Sequence, residues 1–268
     1  MNKKDIIIAV LVLLLLFVLG YLVISQAEDP EVEDVDQEEI VDEDFNDEDP
    51  EVEDEEEDEE DIEEPLRDIV LDFLGSPHHS DPLDDDENIY RDDAFNSTTL
   101  VLISAAKFNS PDNPEEAMRE LHYYPPGEVS YENRLHFSTY RNKVSDYFRD
   151  ITVEVGGDSV DSKDVILNKE DDGDRLIDMD WEEEITLEFV RVEDFSGIIS
   201  DLPEVAGITF IMDGDEDIGL DVRREGILID GYRFIHACSE EGEVIEEDIL
   251  DFLDDNDYDA VNLFEFNE

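Results

Sequence analysis

The sequence has one cysteine in 268 residues, Cys238, so no intrachain disulfide braces the fold. It is also poor in positive charge, with 17 Lys and Arg against 82 Asp and Glu, a formal net charge of -65. Recognition of a phosphate backbone requires clustered basic side chains, so nucleic-acid binding is excluded. Lysine is rarer than arginine, and beyond Lys4 it occurs only at Lys107, Lys143, Lys163 and Lys169. So acidic a surface repels itself, and concentrated salt, whose screening length is about 3 Å at 1 M, relieves that repulsion. The composition therefore points to a halophilic source.

What is present begins with Lys3 and Lys4 and then Ile6 to Ile24, nineteen residues without a charge. At about 1.5 Å of rise per residue this run spans roughly 28 Å, close to the hydrocarbon thickness of a bilayer. A single transmembrane helix is expected within residues 1–27. Lysines precede it and acids follow it, which by the positive-inside rule makes the protein single-pass in the cell membrane with its C-terminal part extracytoplasmic. Ser25-Gln26-Ala27 would also serve as a cleavage site of a signal peptide. The apolar run is longer than the usual signal core of about 7–15 residues, which favours an uncleaved anchor.

Residues 28–64 hold 26 Asp or Glu in 37 positions and no Lys or Arg. Such a segment buries no core and reads as a disordered, self-repelling linker, about 120 Å long at full extension. Residues 65–268 keep 55 acidic and 15 basic side chains, with enough apolar residues for one domain.

Within that domain Leu66 to Leu74 is an amphipathic run stopped by Gly75 and Pro77, a first helix. Leu100 to Lys107 is apolar all round, as a buried helix is, with Asn96 or Ser97 able to cap it. Ser97 then lies at a helix N-terminus, where free N–H groups and the macrodipole favour an anion. Pro114 opens a further helix, Val129 to Phe137 alternates as an extended segment, and Ser138 to Phe148 is helical. Ile151 to Asp180 gives no clear assignment. Thr186 to Val192, Gly207 to Met212 and Ala260 to Phe266 read as strands, and Glu246 to Leu253 as a short helix. Near the end, Gly226 to Asp230 and Tyr232 to Ala237 flank Asp230-Gly231, a hairpin signal expected to give a two-residue turn. The hairpin is expected to bring Arg224 and His236 together on one surface. Helices first and an antiparallel sheet after define an α+β domain.

Three blocks carry a family resemblance: Phe95-Asn-Ser-Thr-Thr-Leu-Val101, then Tyr131-Glu-Asn-Arg-Leu-His-Phe137 with Arg149-Asp-Ile-Thr152, then Gly219 to Val244. In this order they resemble the N-acetylmuramoyl-L-alanine amidase-like family of the NlpC-type papain-like hydrolases. The resemblance implies a papain-like fold over residues 65–268, with a nucleophile helix packed on an antiparallel sheet. It places the family's nucleophilic Cys at Ser97, its base His at Arg224 and its third polar residue at His236. Only His236 keeps the family's residue type. Arg134, His136 and Arg224 are the positions implied to line the substrate groove.

The two departures fall on the chemistry. A papain-like amidase needs a thiolate raised by a helix N-terminus and an adjacent imidazole. Serine is far less acidic than cysteine, and a guanidinium does not deprotonate in proteins. The sequence therefore predicts a catalytically inactive relative that binds a peptide or glycopeptide ligand. The alternative is an active hydrolase of peptidoglycan-like amide bonds using Ser97 or Cys238 with His236 or His136. No cofactor or metal is expected: His78-His79 lacks a third ligand at a recognisable spacing. Asp213 to Asp217 and Asp255 to Asp259 begin like calcium loops but lack the later Gly and Glu, leaving only loose calcium binding open.

Overall fold

The computed structural model describes residues 65–81, 83, 89–124, 128–170 and 173–267. The expected anchor over Ile6 to Ile24 and the acidic linker at 28–64 lie outside the described residues. Among those described, no helix is long and apolar enough to cross a membrane.

The hairpin is the centre of the fold. Strand β5 (Arg224–Ile229) pairs with β6 (Arg233–Cys238), Ile229 lying opposite Arg233. The turn thus has three residues, Asp230, Gly231 and Tyr232, where two are expected from sequence. Asp230 (φ 55°) and Gly231 (φ 75°) are both left-handed. The extra residue decides which side chains share a face, because strand alternation has a period of two. A two-residue turn would set Glu225 on the face of His236; the observed register sets Arg224 there.

The hairpin belongs to an eight-stranded antiparallel sheet. Its other strands are β1 (Phe148–Asp150), β2 (Val160–Leu167), β3 (Glu183–Arg191), β4 (Val205–Ile211), β7 (Glu243–Asp248) and β8 (Ala260–Phe266). The order is β2-β3-β8-β4-β5-β6-β7, with β1 continuing alongside β8 where β3 leaves it. An α+β domain with an antiparallel sheet is therefore what forms.

Helices α1 (Leu66–Asp72), α2 (Ser97–Asn109) and α3 (Pro114–His122) cover one face. Leu100, Val101, Leu102, Ile103, Ala105 and Ala106 are fully buried, packed with Ile227, Ile229, Ile235 and Phe264 of the sheet. Each large aliphatic so buried contributes about 1.5–3 kcal/mol of transfer free energy. The opposite face carries Ile208, Phe210, Leu228 and Phe234. It is closed by Phe195 of α6 (Val192–Phe195) and by Ile249, Phe252 and Leu253 of α7 (Ile249–Asp255).

Several elements depart from the sequence reading. The extended segment 129–137 is interrupted by a 3-10 turn at Tyr131–Asn133, capped by Ser130. The helix expected over Ser138 to Phe148 is α4 (Ser138–Val144), and Phe148 instead starts β1, where it packs edge-on against Phe264. The unassigned stretch holds α5 (Thr152–Gly156) and β2. Glu246 to Asp248, read as the start of a helix, ends the edge strand β7, and the helix begins at Ile249. Acidic side chains suit an edge strand because they oppose pairing with another chain.

Candidate active site

Asn96, not Ser97, caps α2. Its side chain accepts from Thr99 N at 2.8 Å while Thr99 Oγ1 accepts from Asn96 N at 2.9 Å, a reciprocal cap. Ser97 is then the first residue of the helix. It lines a cleft of about 250 Å³ together with Asn96, Thr98, His136, Arg224 and Glu225 among others. The start of α2 and the start of β5 thus meet at one opening.

Arg224 and His236 are brought together, as expected. An Arg224 Nη2 lies 2.7 Å from His236 Nδ1 and donates to the Ala237 carbonyl at 3.1 Å. On the other side of the ring, His236 Nε2 lies 2.5 Å from Glu247 Oε2 on β7. A guanidinium only donates, so Nδ1 is the accepting nitrogen and Nε2 carries the proton shared with Glu247. The ring is buried and stacks on Phe234 at 4.5 Å between centroids, and Arg224 lies over Phe252 at 5.4 Å. Burial, then the charge of Arg224, push the His236 pKa down to about 4, against the opposing pull of Glu247. His236 is neutral at pH 7 and both its nitrogens are engaged. The sequence reading did not find Glu247; its place across from Phe234 in the β6–β7 register is the signal, visible only once pairing is known.

Beneath the cleft lies a second polar group. Arg141 on α4 and Glu225 on β5 are 2.7 Å apart and almost completely buried. Ser138 donates to Glu225 at 3.1 Å, and Arg141 reaches Asn142 Oδ1 at 3.2 Å. Burial acts to raise the Glu225 pKa, but the Arg141 charge, with hydrogen bonds from Arg141, Thr98 and Ser138, outweighs it and holds the carboxylate below its usual value. Gly226 follows because Phe234 crosses over it: a Cβ there would sit 2.5 Å from the ring and 2.9 Å from the Ile235 carbonyl.

Of the remaining candidates, His136 lies at the junction of this cleft and a second cavity, its Nε2 3.0 Å from the Tyr131 carbonyl oxygen. Arg134 lines that second cavity only. Cys238 is partly buried at the end of β6, opposite Glu243, and does not line the cleft. His78 bridges in parallel to Phe95. The acidic loops are engaged within the protein: Asp213 with Arg191 at 3.2 Å, Asp215 with Arg223 at 2.6 Å and Glu216 with Lys163 at 2.5 Å. Asp259 accepts from Asp213 N at 2.7 Å. Among the described residues no group of three or more His, Cys, Asp or Glu could hold a metal ion.

The chain belongs to the N-acetylmuramoyl-L-alanine amidase-like (AmiA-like) family, whose model matches residues 68–260. Among solved structures, the fold is similar to that of a Legionella pneumophila protein, with TM-score 0.63, 20% identity, and 76% of this chain and 88% of that chain covered. It is also similar to an N-acetylmuramoyl-L-alanine amidase from Bacteroides uniformis, with TM-score 0.58, 17% identity, and 76% and 99% of the two chains covered. No curated protein matches the chain.

Proposed function

We propose that this domain is a relative of cell-wall amidases that binds a peptide or glycopeptide in its cleft without cleaving it. One observation carries the reading: an arginine, Arg224, stands 2.7 Å from His236 in the position where the family resemblance puts a base. With Ser97 as nucleophile, neither Arg224, a permanent cation, nor His236, whose accepting nitrogen faces Arg224, takes its proton. The same features suit binding. A guanidinium fixed by the Ala237 carbonyl and by His236, which Glu247 holds from its other side, stands beside the start of a 13-residue helix and favours a carboxylate. The reading includes an NlpC-type papain-like site and attachment to the membrane through Ile6 to Ile24, supported by the length of that apolar run and its lysine flank.

Muramyl peptides test the proposal directly. Calorimetry of the wild-type protein is expected to show binding that weakens about tenfold in Arg224→Ala, with no amide hydrolysis. The double variant Ser97→Cys with Arg224→His is expected to gain hydrolysis that neither single variant has, because nucleophile and base act as a unit. His236, backed by Glu247, would orient the new imidazole. Hydrolysis by the wild-type protein that disappears in Ser97→Ala would overturn the inactive reading. A folded double variant without turnover would mean that the cleft has diverged beyond these two positions.

A further inference from the structure

Asparagine occurs twelve times in the sequence, and one of the twelve stands two residues before a hydroxyl residue with no proline between, in Asn96-Ser97-Thr98. That pattern is the acceptor of N-linked glycosylation in exported proteins. A tripeptide can match by chance, so what decides is how the fold presents the carboxamide. Its two ends have different surroundings. Oδ1 faces α2 and accepts from Thr99 N at 2.8 Å, capping the helix. Nδ2 lies on the exposed side, where it donates to the Ser80 carbonyl at 3.3 Å, longer than an ordinary N–H···O bond. Phe95 and Thr99 are buried, whereas Asn96, Ser97 and Thr98 between them are half-buried and line the cleft. Replacing one hydrogen of Nδ2 by a sugar therefore leaves the cap intact, keeps a second N–H for Ser80 and places the added group toward solvent.

We propose that Asn96 carries an N-linked glycan, standing at the lip of the cleft beside Ser97. The donor class is an oligosaccharide joined through phosphate or diphosphate to a polyprenyl lipid, acted on by a membrane glycosyltransferase. Nδ2 attacks the anomeric carbon, the bond from that carbon to the phosphate oxygen breaks, the polyprenyl phosphate leaves with the electron pair, and one amide proton passes to a base of the transferase. In the folded domain Thr98 is hydrogen-bonded to Glu225 and the helix after it is buried. Transfer thus precedes the packing of α2 on the sheet, as the chain emerges from the membrane. The proposal rests on the extracytoplasmic placement of the domain, because lipid-linked donors of this kind act on exported chains.

The test uses the full chain, expressed in a cell that glycosylates exported proteins and purified from its membranes. Arg91 and Lys107 bound a tryptic peptide, residues 92–107, that contains the site. Mass spectrometry is expected to find a glycan mass on this peptide, localised to Asn96. Asn96→Asp keeps a capping oxygen and removes the acceptor nitrogen, and it is expected to lose the added mass. Ser97→Pro is expected to lose it too, since proline at the middle position closes the pattern. Proline suits the first position of a helix, and Asn96 before it is already extended (φ -110°, ψ -178°), so this second variant keeps the fold. Thr98→Ser retains the hydroxyl and is expected to keep the glycan. Protease added outside intact cells reports which side the domain is on. An unmodified peptide from a domain that the protease digests overturns the glycan and leaves the extracytoplasmic placement standing. An unmodified peptide from a domain shielded from the protease overturns both. Added mass on this peptide that persists in Asn96→Asp or in Ser97→Pro overturns the assignment to Asn96.

Discussion

The polar cleft and the adjoining aromatic pocket, the second cavity, walled by Tyr124, Phe137, Tyr140, Met179 and Trp181, share His136 yet stand on different foundations. The cleft is made by regular elements: the first turn of α2 and the head of β5, underpinned by the buried Arg141–Glu225 pair. The pocket is made by a 3-10 turn, the segment after it and a long loop whose position depends on Asn168. The difference teaches that a site can combine one half fixed by backbone periodicity with another half fixed by side-chain contacts to a loop: Asn168, the Lys169–Glu182 ion pair, and the rings of Phe137 and Tyr140 against Trp181. The first tolerates surface change and fails when its buried charges are unbalanced. The second fails locally, leaving the sheet intact.

Breaking the foundation of the cleft has the largest expected effect. Glu225→Ala leaves Arg141 buried without its counter-charge and is expected to cost about 3–5 kcal/mol in chemical denaturation. Replacing both, as Arg141→Met with Glu225→Leu, should recover most of that loss. A single-variant loss below about 1 kcal/mol would show that the pair does not support the cleft.

The next effect is a titration at the cleft itself. His236 has a folded pKa of about 4, below the 6.5 of a free histidine. The unfolded chain therefore binds the additional proton first as pH falls. The contribution of His236 is present in full above pH 6.5, is lost as pH drops toward 4 and is constant below, a change of about 3 kcal/mol. Buried His122, whose pKa burial drives well down, adds a loss in the same direction. His236→Gln should flatten the stability profile between pH 6.5 and 4 by its own share. An unchanged slope would mean that the Arg224–His236–Glu247 arrangement does not hold the ring neutral.

The smallest effect sharpens the contrast from the side of the pocket. Asn168 sits at φ 60°, so Asn168→Gly removes its hydrogen bonds without introducing backbone strain. About 1–3 kcal/mol is expected, because the carbonyls of Met179 and Trp181 and the Ile177 amide lose their partner. Hydrogen exchange should quicken at residues 177–181 while the amides of α2 stay protected. Equal acceleration in both places would contradict the separate foundations.

Much of the cleft was legible in the sequence because its parts carry short-range signals. Asn96 and Thr99 have the spacing of a reciprocal cap, the apolar run after them has no polar face, and Asp230-Gly231 marks a reversal between two β-prone runs. Those signals led to Ser97 at a helix start and to Arg224 with His236 on a hairpin, and the family resemblance joined the three into one group. The two-residue turn was wrong by one residue. With that turn, alternation would have put Arg224 and His236 on opposite faces, so their meeting depended on a detail of loop geometry. β2 was missed because its face alternates weakly among acids, and the end of β7 because Glu246 to Asp248 resemble a helix N-terminus.

By itself, then, the sequence determined the acidic character of the chain, the exclusion of an intrachain disulfide, the buried α2 and the hairpin. Each follows from composition or from contacts between residues close in the chain. Only the tertiary structure decided that Glu247 backs His236, that Arg141 neutralises Glu225 across 84 residues, and that Asn168 brings Trp181 to the end of the cleft. These partners are paired by strand register and by burial, and neither is encoded locally. A carboxylate on an acidic chain looks like every other one until folding removes the water around it and leaves a single cation within reach.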